Sequence, residues 1–91
     1  MYHVTNYRFT ARMTKDETKK LIDTFSAIGN APGTTAHYVW TDGRGGTVIG
    51  DTDDLAAVYR NLLNYTEWIE FEQHGVLPVD TAVEQVIDYL G

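Results

Sequence analysis

His3, His37 and His74 are the side chains best suited to move a proton near neutral pH. His37 with Asp51 is the sharpest combination. If Thr41 pairs with Thr47 across a hairpin, His37 faces Asp51 and Val39 faces Ile49, while Trp40 and Val48 share the opposite face. A carboxylate beside an imidazole fixes its tautomer and raises its pKa, as a general base requires. The same two residues also make a plain cross-strand pair at a sheet rim, and that is the simpler reading.

His74 lies on one strand face with Glu70 and Glu72, and His3 is expected near it. Alternate residues on a strand stand about 7 Å apart, too wide to hold one ion without help from another strand. These two histidines are expected at partly exposed sheet ends, and neither a metal nor a cofactor is expected. Glu70 and Glu72 imitate a catalytic carboxylate pair, but Arg8 falls beside them and makes an interface network simpler. Residues Asp42, Gly43, Arg44, Gly45 and Gly46 are glycine-rich like a phosphate loop, yet they lack its spacing and its following Lys-Ser/Thr. A hairpin turn explains them better. Lys15, Lys19 and Lys20 form a solvated helix face balanced by Asp16, Glu17 and Asp23. Ser26, the only serine, sits in a helix without a nucleophile elbow.

Tyr7, Tyr38, Trp40, Tyr59 and Trp68 offer a second kind of chemistry. Their rings give apolar walls with polar tips, which suits a flat organic ligand. Packing in a core or a dimer interface is the competing explanation.

The elements that must position these residues follow from pattern. Tyr2 to Thr10 alternates as a strand, with His3, Thr5, Tyr7 and Phe9 on one face and Val4, Asn6 and Arg8 on the other. Thr14 and Glu17 form a capping box ahead of a helix striped by Leu21, Ile22, Phe25 and Ile28. Gly29 or Asn30 ends it. Thr35 to Thr41 and Thr47 to Asp51 are two further strands. A second helix runs from the Asp51–Asp54 cluster to about Tyr65. Glu67 to His74 is a fourth strand, with Ile69 and Phe71 on one face and Trp68, Glu70, Glu72 and His74 on the other. A third helix begins at Asp80 or Thr81, capped with Glu84, and carries Val83, Val86, Ile87 and Leu90 at helical spacing.

The order β-α-β-β-α-β is the split βαβ plan: an α+β, ferredoxin-like fold with a four-stranded antiparallel sheet, both helices on one face and an extra C-terminal helix. Tyr7 and Phe9 are expected to join Ile69 and Phe71 beneath the helices. Arg8 then pairs with Glu70 or Glu72 on an open face, and that half-apolar face is expected to be covered by a homodimer joined through the sheets.

The 91 residues fit one domain, 1–91. No cysteine is present, which excludes disulfides, thiolate metal sites and a cysteine nucleophile. The net charge of −6 disfavours nucleic acid and anionic membranes. Neither a signal peptide nor an apolar run of about 18 residues is evident, so a cytoplasmic protein is the expectation.

With its element order, Trp40 before a Gly-Arg-Gly turn, the Asp-rich approach to the second helix, and the stretch from Phe71 to Pro78 and Val79, the chain resembles the dimeric α+β-barrel superfamily. Within it, the chain is similar to a small bacterial group of unassigned function. The resemblance implies the fold, a homodimer and a pocket between sheet and helices, but no single reaction. That group commonly carries an acidic residue near the end of strand three, where Gly50 or Asp51 falls here. Three functional expectations follow. The first is a small cytoplasmic protein that binds a small apolar or aromatic molecule. The second is a cofactor-independent monooxygenase or isomerase using His37 and Asp51. The third is a structural stress-type oligomer, which requires a filled interior.

Overall fold

The structure, a computed structural model, describes all residues from Met1 to Gly91. Strand β1 spans Tyr2–Phe9, helix α1 Lys15–Ile28, β2 Thr34–Val39, β3 Gly45–Asp51, α2 Leu55–Leu62, β4 Ile69–Val76 and α3 Val79–Leu90. The sheet order is β2-β3-β1-β4, and every neighbouring pair is antiparallel. This is the expected α+β, ferredoxin-like arrangement.

Local chemistry sets the helix ends. The Glu17 amide donates to the Thr14 hydroxyl at 3.1 Å, and that hydroxyl donates to the Glu17 carboxylate at 3.1 Å. Gly29 ends α1 with φ +76, a left-handed conformation that favours glycine. Asp54 caps α2 by accepting from the Ala57 amide at 3.0 Å. The last turn expected in α2 tightens into a 3-10 turn at Leu63–Tyr65. The capping box expected for α3 does not form. That helix starts at Val79 behind Pro78, whose fixed φ already suits a helix start.

The β1–β4 register brings Tyr7 opposite Phe71, Phe9 opposite Ile69 and Arg8 opposite Glu70, so those faces fall as the alternation implies. Trp68 is the exception. The strand begins only at Ile69, after a turn in which the Trp68 amide donates to the Tyr65 carbonyl at 2.9 Å. Alternation therefore does not reach Trp68, and it packs with Tyr65 and Ile69 in the core rather than on the open face. Tyr7, Phe9, Met13, Leu21, Phe25 and Phe71 close around that cluster. Each well-buried apolar side chain contributes about 1.5–3 kcal/mol. Only five are buried here (Val58, Leu62, Tyr65, Trp68 and Ile69), so one chain alone makes a thin core.

The β2–β3 hairpin departs furthest from expectation. Val39 pairs with Gly46, Tyr38 with Thr47 and His37 with Val48, three positions away from the Thr41–Thr47 register. A tight turn makes the difference. The Gly43 amide donates to the Trp40 carbonyl at 3.0 Å, the Asp42 carboxylate accepts from the Arg44 amide at 2.9 Å, and Gly43 takes φ +75. Gly45 and Gly46 thereby belong to β3 instead of the loop. Thr47 then shares Trp40's face, and Val48 turns to the helix side.

Candidate functional site

All four strands lay a floor of side chains beneath α1 and α2, β4 through Ile69 alone. His3, Thr5, Tyr7 and Phe9 come from β1, Val48 from β3, and His37 and Val39 from β2. Phe25 of α1 and Val58 and Leu62 of α2 help to roof it. Between floor and roof lies a cavity of about 320 Å³. Its lining includes no Asp, Glu, Lys or Arg.

A hydrogen-bonded chain crosses the floor. The Tyr7 hydroxyl stands 2.8 Å from His37 Nε2, and His37 Nδ1 stands 2.9 Å from Asn30 Oδ1. An amide oxygen only accepts, so the ring proton is assigned to Nδ1, and Nε2 accepts from Tyr7. Edge-on rings hold the imidazole in place: Tyr7 at 5.6 Å and Phe25 at 5.8 Å between centroids. Burial pushes the Tyr7 phenol above its ordinary value and His37 below its own. Both groups are neutral at pH 7.

Glycines make this geometry sterically accessible. A Cβ on Gly46 would stand 2.5 Å from Tyr7 Cζ and 2.6 Å from the Tyr38 carbonyl oxygen. The phenol of Tyr7 thus lies across Gly46, the residue that separates β1 from β2 in that row, and so reaches His37. Gly50 does the same for His3: a Cβ there would stand 2.5 Å from His3 Cε1. Glycine inside a strand marks such close approaches.

Two polar groups packed behind the cavity wall are left without partners. His3 is only 2 % exposed and its Nδ1 has no hydrogen-bond partner. The Tyr65 hydroxyl is likewise buried and unpartnered, and burial raises its pKa. Orphaned buried polar groups cost about 1–3 kcal/mol each, so they call for an explanation.

The chain belongs to the DUF3303 family. The family model, described as a domain of unknown function, matches residues 1–89. No curated protein and no solved structure matches the chain. Membership of DUF3303 thus places the site in a family whose description states no activity.

Within this DUF3303 chain the expected site residues separate. Tyr7 and His37 meet, but Asp51 does not join them. The register puts Asp51 opposite Tyr2, and its carboxylate accepts from the Met1 amino group at 3.1 Å. Asn30, not Asp51, orients the imidazole. Tyr38 is 64 % exposed, and Tyr38 and Trp40 lie on the sheet face away from the cavity. Tyr59 points outward from α2, and Trp68 is in the core cluster. His3 is buried beneath the helices, not at an exposed sheet end beside His74, which lies on the other face. Sequence reasoning missed His3, Asn30 and Tyr65 as site members. For His3 the signal was the alternation that places it on Tyr7's face, together with Gly50 in the facing strand; Asn30 and Tyr65, in a loop and a 3-10 turn, had no periodic signal.

The open sheet face is built differently. Asn6, Arg8, Trp40, Glu70 and Glu72 line a shallow depression of about 490 Å³. Trp40 Nε1 donates to the Thr47 hydroxyl at 3.0 Å, which donates to Asn6 Oδ1 at 2.9 Å. Arg8 lies 6.0 Å from the Trp40 ring centroid and forms no salt bridge within the chain. Its expected pairing with Glu70 or Glu72 is not made. Glu72 instead contacts His74 at 2.6 Å.

The tautomer and its surroundings yield a titration prediction. Tyr7 donates to Nε2 only while His37 is neutral, so the Tyr7→Phe variant is expected to raise the His37 pKa toward its ordinary 6.5. Wild-type His37, with its folded pKa depressed, stabilises the fold fully above pH 6.5 and loses that contribution as pH falls through its folded value. Imidazole chemical shifts followed against pH in the two proteins test this. An unchanged or lower pKa in the variant contradicts the hydrogen-bond assignment.

Proposed function

We propose that this is a small single-domain cytoplasmic binding protein that holds a small apolar or aromatic molecule between sheet and helices, and that it works as a homodimer. The cavity itself carries the reading. Ligand sites are concave and mostly apolar, with a few placed polar groups, and this one has that composition at the small end of the usual size range. A purely structural oligomer needs no such space. The absence of a helix long and apolar enough to cross a membrane fits a protein that does not span one by helices.

A broad small-molecule thermal-shift screen tests the reading. A ligand present at 100 times its Kd adds about 2.7 kcal/mol to stability. For a domain this size that raises Tm by roughly 10–20 °C. A screen rich in one- and two-ring compounds that finds no stabiliser removes the support for binding.

The Tyr7–His37–Asn30 chain favours one further reading, a cofactor-independent monooxygenase or isomerase with His37 as base. The directions of the two pKa shifts weigh against it, because a raised phenol and a lowered imidazole keep the pair from sharing charge. Oxygen uptake with activated phenols, lost in His37→Ala, is the result that would establish it.

A further inference from the structure

We infer that the free edge of β2 is a docking site for an extended peptide, which adds to the sheet as a further antiparallel strand and inserts one large aromatic side chain into the mouth of the cavity. The inference rests on the cavity being a binding site, as proposed above, and it names a polypeptide as the partner.

Strand β2 ends the sheet on one side, so half of its peptide groups have no neighbouring strand. The hairpin fixes which half. The Trp40 amide donates to the Gly45 carbonyl at 2.9 Å, and antiparallel pairs alternate between bonded and unbonded. Along that register Tyr38 bonds to Thr47, while His37 and Val39 turn their N–H and C=O groups outward. The pairing of β3 with β1 agrees. The Phe9 amide donates to the Arg44 carbonyl, and the same alternation then bonds Gly46 and Val48, the residues opposite Val39 and His37, to β1. No turn, loop or cap of the chain takes up the outward groups of His37 or Val39. Edge strands are usually blunted by lysine, proline, inward charges or bulges. Thr34–Val39 has no such residue, and its one bulge lies between Thr34 and Ala36, at the far end from Val39.

The side chains of His37 and Val39 line the cavity. Residues paired across antiparallel strands point to the same face. A strand added at this edge therefore sends the side chains opposite His37 and Val39 toward the cavity, and those same residues return the hydrogen bonds. The way in is open: Val39 is 65 % exposed and Ile22 of α1 is 54 % exposed, yet both line the space. An apolar space of roughly 150 Å³ holds one benzene ring, so about 320 Å³ admits a phenylalanine or tryptophan side chain. The chain as a whole carries a charge of −6, which favours a partner with basic residues on either side of the aromatic one. Main-chain bonds then give affinity, and the aromatic side chain gives selectivity.

The test uses the whole chain and a peptide blocked at both ends, Lys-Thr-Thr-Phe-Thr-Thr-Lys. Calorimetric titration is expected to show one peptide bound per chain. Replacing its phenylalanine with alanine is expected to weaken binding about tenfold or more, as is methylating the phenylalanine nitrogen, because that N–H faces β2. Methylating the nitrogen of the next residue, whose N–H faces away, is expected to change affinity by less than about twofold. In the protein, Val39→Pro removes one outward N–H and spares the ladder to β3, since proline is tolerated on an edge. The peptide is expected to bind that variant about tenfold more weakly or worse. If the variant does not fold, the two methylated peptides still decide the outcome. Equal loss with both methylated peptides overturns strand addition. Full affinity in the alanine peptide overturns the aromatic insertion. A fall in the sedimentation mass of Val39→Pro with no peptide present gives the edge to a second copy and overturns the inference. Failure of the peptide to bind, while the screen above yields stabilisers, overturns the inference alone; failure of both experiments overturns the binding reading with it.

Discussion

Replacing Gly45 with alanine is expected to cost about 3 kcal/mol or more of unfolding free energy, a loss of roughly 12–24 °C in Tm for a domain of this size. A Cβ there would run into the carbonyl group of Tyr7, with the carbonyl carbon only 2.9 Å away and the Arg8 Cα 3.0 Å away. The obstacles are backbone, so no rotamer change relieves them. Relief requires β1 and β3 to separate, at the pair that sets Arg8 opposite Gly45. Gly46→Ala meets the Tyr7 ring and the Tyr38 carbonyl instead, and it is expected to break the Tyr7–His37 hydrogen bond as well as destabilise the sheet. Gly43→Ala is the internal control. Nothing lies within 4 Å of its Cβ position, and only its φ of +75 opposes alanine, at about 1–2 kcal/mol. Denaturant unfolding of the three variants should rank Gly45→Ala as most damaging and Gly43→Ala as least. Equal losses at all three would mean that close approach to β1 is not what requires glycine in β3.

That dependence on glycine explains where the sequence was legible and where it was not. Alternation in Tyr2–Phe9 and Ile69–Val76 sorted most side chains onto the correct faces, because period-two patterning needs only one buried face to be readable. Capping residues located α1 and α2 for the same reason: Thr14 and Asp54 act on amides three residues away. The hairpin was not legible in this way. Five residues rich in glycine admit several turns, and the turn alone decides whether His37 meets Asp51 or Val48. Gly45 and Gly46 resemble loop residues in composition, yet here they are strand residues that make room for a neighbour. The candidate site follows from that same distinction. Tyr7 and His37 were each visible as chemistry-bearing residues, but their meeting depends on Gly46, and the partner of the imidazole comes from a loop residue, Asn30. Non-local hydrogen bonds of this kind leave no periodic signature in a chain.

Helix α3 carries the other large expected effect. Its residues Val83, Val86, Ile87 and Leu90 are 47 %, 55 %, 64 % and 75 % exposed, and no residue of the helix is buried. The chain is also extended. Its radius of gyration is 15.9 Å, with a longest dimension of 58 Å. A compact chain of 91 residues would have a radius near 12 Å. One helix flank and one open sheet face are left without cover, with areas of roughly 300 and 400 Å² from ordinary helix and strand dimensions. Together they approach the ~800 Å² per partner that a stable interface buries. The sheet face is also self-complementary. Arg8 lacks a carboxylate within its own chain, while Glu70 and Glu72 are exposed beside it. A two-fold axis would bring Arg8 of one copy against the carboxylates of the other. Under the proposed homodimer, the double substitution Val83→Glu with Ile87→Glu is expected to weaken association at least 100-fold, leaving a monomer at micromolar concentration with its helical circular dichroism intact. Arg8→Glu should have a smaller effect of the same sign, with a weaker salt dependence than a rim charge shows. Sedimentation equilibrium measures all three proteins. A wild-type chain that remains monomeric at high micromolar concentration would remove the homodimer. A dimer indifferent to both α3 charges would locate its interface elsewhere than on this helix.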